Sequence, residues 1–164
     1  MLNSSTKKGQ TPFEESAESR GYLPEKAPRR KYRNVSHILK GKGKEEKPIL
    51  LRFDVKKIKN KIKNDEWLWV EFKNATGGQG WIHGDAHFIA FERFGDFVIV
   101  NRKELVSWLG SANKIRYDLP FVSLAKLAKY RIYKRQGKKE ETSQINVKDL
   151  KKLESFQLWP KGNA

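Results

Sequence analysis

The chain of 164 residues contains no cysteine, which excludes disulfide scaffolds, thiol nucleophiles and thiolate zinc sites. It has no apolar run near the roughly 18 residues that a membrane span needs. Residues 1–10 are polar and lack the apolar stretch of a secretory signal. No serine sits in a Gly-x-Ser-x-Gly elbow, so serine-nucleophile chemistry has little support. Hydrophobic residues reach only 37%, enough for one modest core and too few for a large two-domain enzyme. Acidic residues are scarce beside basic ones: 19 Asp and Glu against 35 Lys and Arg, a formal net charge of +16. Aromatic residues, at 12% with five Trp, argue against a disordered chain. The expectation is a soluble, cytoplasmic protein that meets a polyanion.

The charge is unevenly placed. Residues 26–63 carry fifteen basic and three acidic side chains, and residues 114–164 carry thirteen and five. Between them, residues 64–113 hold four basic and seven acidic groups and are the most apolar part. Basic flanks around a mildly acidic centre suit a protein that cradles phosphates while a few carboxylates hold a metal. A solvated lysine-rich surface gives the same count, since Lys outnumbers Arg 25 to 10.

Residues 1–11 read as a disordered leader. Thr11-Pro12 predicts a helix through Glu18, with Thr as the cap and Pro in the first turn, ended by Gly21. Pro24 and Pro28 predict a loop carrying Arg29, Arg30, Lys31 and Arg33. Residues 41–48 read as a hairpin loop and 58–66 as a polar connection. Apolar runs and period-two alternation predict strands at Val35–Lys40, Ile49–Lys57, Trp67–Lys73, His87–Glu92, Phe97–Asn101 and Tyr130–Arg135. Arg102–Leu109 predicts a helix ended by Gly110, and Asn146 caps a last short helix. Residues 12–110 are expected to form the core, with 111–164 as a basic C-terminal extension packing on it.

Two predicted strands each present an acid and a lysine two residues apart: Asp54-Val-Lys56 and Glu71-Phe-Lys73. Strand periodicity points each pair to one face. Such a face suits metal-dependent phosphodiester hydrolysis. Carboxylates hold Mg²⁺ (or Mn²⁺), the metal lowers the pKa of a bound water, and an ammonium stabilises developing charge. An exposed strand face with adjacent ion pairs gives the same spacing. His83, Asp85 and His87 stand at alternate positions and offer a His-Asp-His set for a transition metal, although Gly80 and Gly84 favour a loop there. Thr76-Gly-Gly-Gln-Gly80 lacks the Lys-Ser/Thr ending of a phosphate loop and reads as a tight turn. Trp67 and Trp69 would stack on a base if exposed beside Glu71; packing is the simpler role.

The order of a helix with Glu, a strand, a strand with Asp, a strand with Glu-x-Lys, a helix and a strand resembles the PD-(D/E)xK, or restriction-endonuclease-like, nucleases. Trp69-Val-Glu71-Phe-Lys73-Asn74, Gly80-Trp81-Ile-His-Gly84, Ile89-Ala-Phe-Glu92 and Phe97-Val-Ile-Val100-Asn-Arg are similar to small nuclease-type proteins of bacteriophages. The likeness covers roughly residues 12–110 and, more weakly, the 130–153 tail. It implies an α/β fold, a mixed sheet flanked by helices, with a basic N-terminal region and a C-terminal extension. It also implies a divalent-metal-dependent DNA endonuclease. Two carry-overs stand open. In the first, which is preferred, Asp54 is the lone metal-binding Asp and Glu71-Phe-Lys73 the Glu-x-Lys half. In the second, Asp54-Val-Lys56 is itself the Asp-x-Lys half. That version needs an earlier Asp near His37, where none lies between residues 30 and 53. Asp54 and Glu71 would bind Mg²⁺ in the preferred version, with Lys73, or Lys56 in the other, orienting the water. Glu14 or Glu18 would match the helix-borne Glu of some members, although a solvent-exposed helix face is the simpler role.

Backbone contacts are expected from Arg29, Arg30, Lys31, Arg33, Lys57, Lys59, Lys61, Lys134 and Arg135. The implied partner is nucleic acid, double-stranded DNA first, with no membrane and a homodimer left open. The implied location is the cytoplasm of a bacterial host, if the chain is phage-encoded. The rival is a non-catalytic nucleic-acid-binding protein, ribosome-associated or a degenerate nuclease. A third reading is a phage protein that acts by contact with a host protein.

Overall fold

A capping box starts the first helix, α1 (Pro12–Ser19): Thr11 Oγ1 accepts the Glu14 N–H and the Glu14 carboxylate accepts the Thr11 N–H, which satisfies two otherwise free donors. The computed structural model describes residues 9–41, 49–58, 66–111 and 114–162. After α1 come β1 (Tyr22–Lys26), β2 (His37–Gly41), β3 (Leu50–Lys56), β4 (Trp67–Lys73), β5 (Phe88–Glu92) and β6 (Asp96–Asn101). Then follow α2 (Arg102–Ser111), β7 (Glu141–Asn146), α3 (Val147–Leu150) and β8 (Gln157–Pro160). The fold is α/β.

Six strands form a mixed sheet in the order β1-β2-β3-β5-β6-β8, and β4 pairs with β7 in a separate two-stranded sheet. Only β3 and β5 run parallel, with Asp54 opposite Ile89. Alternation along these strands sorts the core in two. Phe53, Ala90, Phe97 and Ile99 face one side with Phe13 of α1 and Trp159 of β8. Ile89, Phe91, Val98 and Val100 face the other, against Leu68 and Val70 of β4, Ile145 of β7 and Leu105 of α2. Tyr22 on one edge strand stacks on Trp159 of the opposite edge strand at 5.7 Å. The large sheet is therefore curled, with α1 filling its concave inner side. No helix among the described residues is long and apolar enough to cross a membrane.

Several expected elements are present, and others need correcting. The 22–26 stretch, expected as loop, is strand β1; it lies at the sheet edge, where a proline such as Pro24 is tolerated. Tyr130–Arg135 forms no strand; Tyr133 makes only isolated bridges to Val122 and Thr142. The strand of that region is β7, whose buried positions are Glu141, Ser143 and Ile145. With two of its three inward residues polar, it carries no apolar alternation to detect. Strand β8 escaped for the same reason, since only Trp159 in it is buried. Residues 111–164 are thus not an appendage: they complete both sheets and supply Ile132, Leu150 and Trp159 to the cores. Helix α2 runs through Gly110 to Ser111. Most of the leader, and the greater part of the 41–48 and 58–66 connections, lie outside the described residues.

Candidate functional site

Asp54 is 4% exposed in the middle of β3. Its side chain leaves on the outer, convex face, the one shared with Ile89 and opposite to Phe53. Lys56 lies on the same face, its Nζ 3.0 Å from Asp54 Oδ2. At that distance the two form an ion pair, and Oδ2 is a buried acceptor with no partner besides this ammonium. Burial pushes the Asp54 carboxyl up to about 6; the Lys56 ammonium opposes the shift and the charge of Glu71 adds to it. Burying a carboxylate with an incomplete set of partners is costly, and such groups cluster at functional sites.

Glu71 arrives from the other sheet. Strands β3 and β4 are not hydrogen-bonded neighbours; the two sheets pack on each other through Leu68 and Val70 of β4 and Ile89 and Phe91 of β5. The hinge of this arrangement is a 3₁₀ turn, Trp81–His83. The Trp81 N–H donates to Glu71 Oε1 at 3.2 Å. The Trp81 ring lies 4.7 Å from Lys56 Nζ, in cation–π range, and meets Phe91 edge-on. Just before it, Gly80 N–H bonds Phe72 O. A Cβ on Gly80 would sit 2.3 Å from the Glu71 carbonyl oxygen, so only glycine lets this turn press on β4. A Cβ on Gly84, at the other end, would meet Asn34 Cβ at 2.8 Å. The Gly-Trp-Ile-His-Gly block is thus a clamp holding Trp81 between Glu71 and Lys56.

Lys73 does not join this group. The register shifts between Glu71, opposite Thr142, and Lys73, opposite Glu141. Adjacent residues of β7 point to opposite faces, so the bulge turns Lys73 away from the face of Glu71. The Lys73 Nζ instead lies 3.3 Å from Glu141 Oε2, which Lys134 approaches at 3.7 Å. The period-two expectation for Glu71-Phe-Lys73 fails at this irregularity, whereas it holds for Asp54-Val-Lys56.

Glu14 is not on a solvent-exposed helix face; it is 9% exposed. Its Oε2 lies 3.1 Å from His37 Nε2, and His37 Nδ1 lies 2.9 Å from Ser36 Oγ, which accepts the Val55 N–H. With His37 neutral and protonated on Nε2, Nε2 donates to Glu14, and the Ser36 hydroxyl hydrogen is shared between His37 Nδ1 and Phe53 O at 3.3 Å. This chain lies on the inner face with Phe53 and Phe13, opposite to Asp54, so Glu14 does not reach the Asp54 carboxylate. His83, Asp85 and His87 do not form a cluster. Asp85 accepts the Arg33 N–H at 2.7 Å, and His87 Nδ1 accepts the Arg52 N–H at 2.9 Å. Thr76–Gly80 is a tight turn organised by Asn74 Oδ1, which accepts from Thr76 N and Gly78 N.

Of the basic candidates, Arg29, Arg30, Lys31 and Lys57 are exposed. Arg33 is engaged with Asp85 and Gln79, and Lys59 and Lys61 lie outside the described residues. Arg135 lies 3.7 Å from Glu140 and lines a cavity of about 240 Å³ walled also by Glu71, Trp69, Trp81 and Tyr133. That cavity was not legible beforehand, because half of its wall comes from the irregular 133–142 segment.

Among the described residues, no group of three or more His, Asp or Glu is disposed to hold a metal ion. Mg²⁺ is commonly held by one or two carboxylates with water and substrate phosphate completing the shell, and the two carboxylates that could supply such a set here are Asp54 and Glu71, close enough for the charge of Glu71 to raise the Asp54 pKa. No family model matches the chain, no curated protein matches its sequence, and no solved structure matches its fold.

Proposed function

We propose that the protein is a divalent-metal-dependent nuclease of the restriction-endonuclease-like kind, acting on DNA. The observation that carries this reading is the buried Asp54 carboxylate, whose Oδ2 is paired with the Lys56 ammonium alone and which lies within electrostatic reach of Glu71. Asp54 and Glu71 would hold Mg²⁺ or Mn²⁺, and the metal, when bound, supplies a water acidified enough to attack phosphorus. The chain's own part is to exclude water around Asp54, to aim Glu71 through the Trp81 N–H, and to offer the Lys56 ammonium to the phosphate. Burial that raises the Asp54 pKa disfavours its charge, and a cation relieves that cost. The geometry favours Asp54-Val-Lys56 over Glu71-Phe-Lys73 as the acid-x-Lys unit, because Lys73 is turned to Glu141. The net charge of +16 supplies the attraction for phosphates.

Two observations favour the non-catalytic rival. Lys56 already neutralises Asp54, and the β2 position that the Asp-x-Lys version needs as Asp is His37, engaged on the other face. Supercoiled plasmid incubated with Mg²⁺, Mn²⁺ or EDTA decides between them. Nicking with either metal and none in EDTA is expected; intact plasmid in every condition, with DNA still bound, assigns the rival.

A further inference from the structure

Glu71 lines the cavity of about 240 Å³. This volume lies below the roughly 300–1,000 Å³ of pockets for drug-sized ligands, so it suits one planar ring rather than a whole nucleotide. Three aromatic side chains form its walls. Trp69 and Tyr133 touch each other with centroids 5.7 Å apart and planes at 54°, so a guest ring stacks against them and cannot slide between them. Trp81 is fixed from behind by Lys56 and Phe91.

The polar groups narrow the guest further. Glu71 spends one acceptor site on the Trp81 N–H and keeps the rest of a carboxylate's capacity. With Glu140 also in the wall and Arg135 beside it at 3.7 Å, the lining carries two acids against one base. It therefore disfavours a phosphate inside and favours N–H donors. A flat ring with an amino edge, brought by a polyanionic chain to a protein of net charge +16, is a nucleobase out of its stack. We propose that this cavity receives a single unstacked nucleobase bearing an exocyclic amine, from a single-stranded or locally opened nucleic acid. One of the tilted pair Trp69 and Tyr133 stacks on the base while the other meets its edge, and Glu71 accepts from its amine. This assignment rests on the nucleic-acid-binding half of the reading above and is independent of cutting.

The test uses the whole chain in EDTA, so that cleavage plays no part. Short single strands carrying one 2-aminopurine are bound, with anisotropy reporting occupancy and emission reporting stacking. Emission is expected to fall several-fold on binding and to recover by at least half in Tyr133→Ala, while Trp69→Phe, which keeps a ring, retains most of the quench. Oligo-dC is expected to bind roughly tenfold tighter than oligo-dT, the scale of one base-edge contact, and Glu71→Gln to erase that preference. Thermal melting of each variant separates loss of the pocket from loss of the fold. Unchanged emission on bound DNA, an equal quench in folded Tyr133→Ala, or equal affinity for dC and dT overturns the proposal. Quenching without any metal-dependent nicking leaves it standing and removes only the nuclease reading; no binding to any strand removes both.

Discussion

On the inner face of the six-stranded sheet, buried Glu14 and His37 and half-buried Ser36 form a hydrogen-bond chain that ends on the Thr11 and Val55 N–H groups. On the outer face, Asp54 is buried as deeply, yet its Oδ2 has only the Lys56 ammonium. The electrostatics follow. On the inner face, burial alone would raise the Glu14 carboxyl, but the Thr11 N–H and His37 outweigh it and the pKa ends below its ordinary value. On the outer face, burial wins and Asp54 rises to about 6. Glu14 of α1 and Asp54 of β3 thus differ in sign of shift because Thr11 and His37 outweigh burial at the first, whereas at the second burial outweighs Lys56 and the charge of Glu71 adds to it. The inner set reads as structural, and the outer one carries the proposed site.

The sharpest way to break this contrast is to compare cutting rates. Asp54→Asn and Lys56→Ala are each expected to lower Mg²⁺-dependent nicking by about 10²- to 10³-fold, the scale of losing one charge-stabilising group. Lys73→Ala is expected to stay within about threefold, since that side chain serves Glu141. A collapse of activity in Lys73→Ala with Lys56→Ala unaffected would reverse the assignment of the acid-x-Lys unit.

Next in size is the clamp beneath the outer site. Gly80→Ala forces a Cβ to within 2.3 Å of a backbone oxygen and is expected to cost about 3 kcal/mol, read as a fall in melting temperature of about 10 °C. Gly95→Ala, with nothing within 4 Å of the added Cβ, is the control.

The pH dependence of stability sharpens the contrast through its sign. The raised Asp54 pKa means that the folded chain holds this proton longer than the unfolded one. Its contribution is present below about pH 4 and is lost as pH rises toward 6, by at most about 3 kcal/mol for some two units. The inner face runs the other way. His37 is held below its ordinary value near 6.5, chiefly by burial, and Glu14 is lowered, so stability falls as pH drops below about 6.5 and again through the carboxylate range. Urea midpoints between pH 4 and 8 should show Asp54→Asn gaining most at pH 8, and Glu14→Gln losing about 1 kcal/mol there. Matching gains in both variants would dissolve the distinction between the faces.

The smallest effect concerns the exposed basic loop. Replacing Arg29, Arg30 and Lys31 with Ala is expected to reduce the slope of log affinity against log salt by about two to three, with little change in melting temperature.

Where the sequence carried a strong local signal, the elements lie where they were expected. Thr11-Pro12-Phe-Glu14 specified a capped helix, and β3, β4, β5 and β6 follow their apolar residues. The Asp54 and Lys56 pair was legible because β3 is regular. The Glu71 and Lys73 pair was misread because a bulge, invisible in the residue types, breaks the alternation. Strand β7 was hidden by its polar inward positions, and with it the partner of β4 and half the cavity wall.

By itself the sequence determined the excess of positive charge, the cap of α1, the regular strands and the two acidic residues worth attention, since each rests on composition or on neighbours within a few positions. Only the tertiary structure decided which lysine stands beside Asp54, which carboxylate is left short of hydrogen bonds, and how Gly80 brings Trp81 onto Glu71. Those depend on residues far apart in the chain, and burial and close approach are properties that no local pattern encodes.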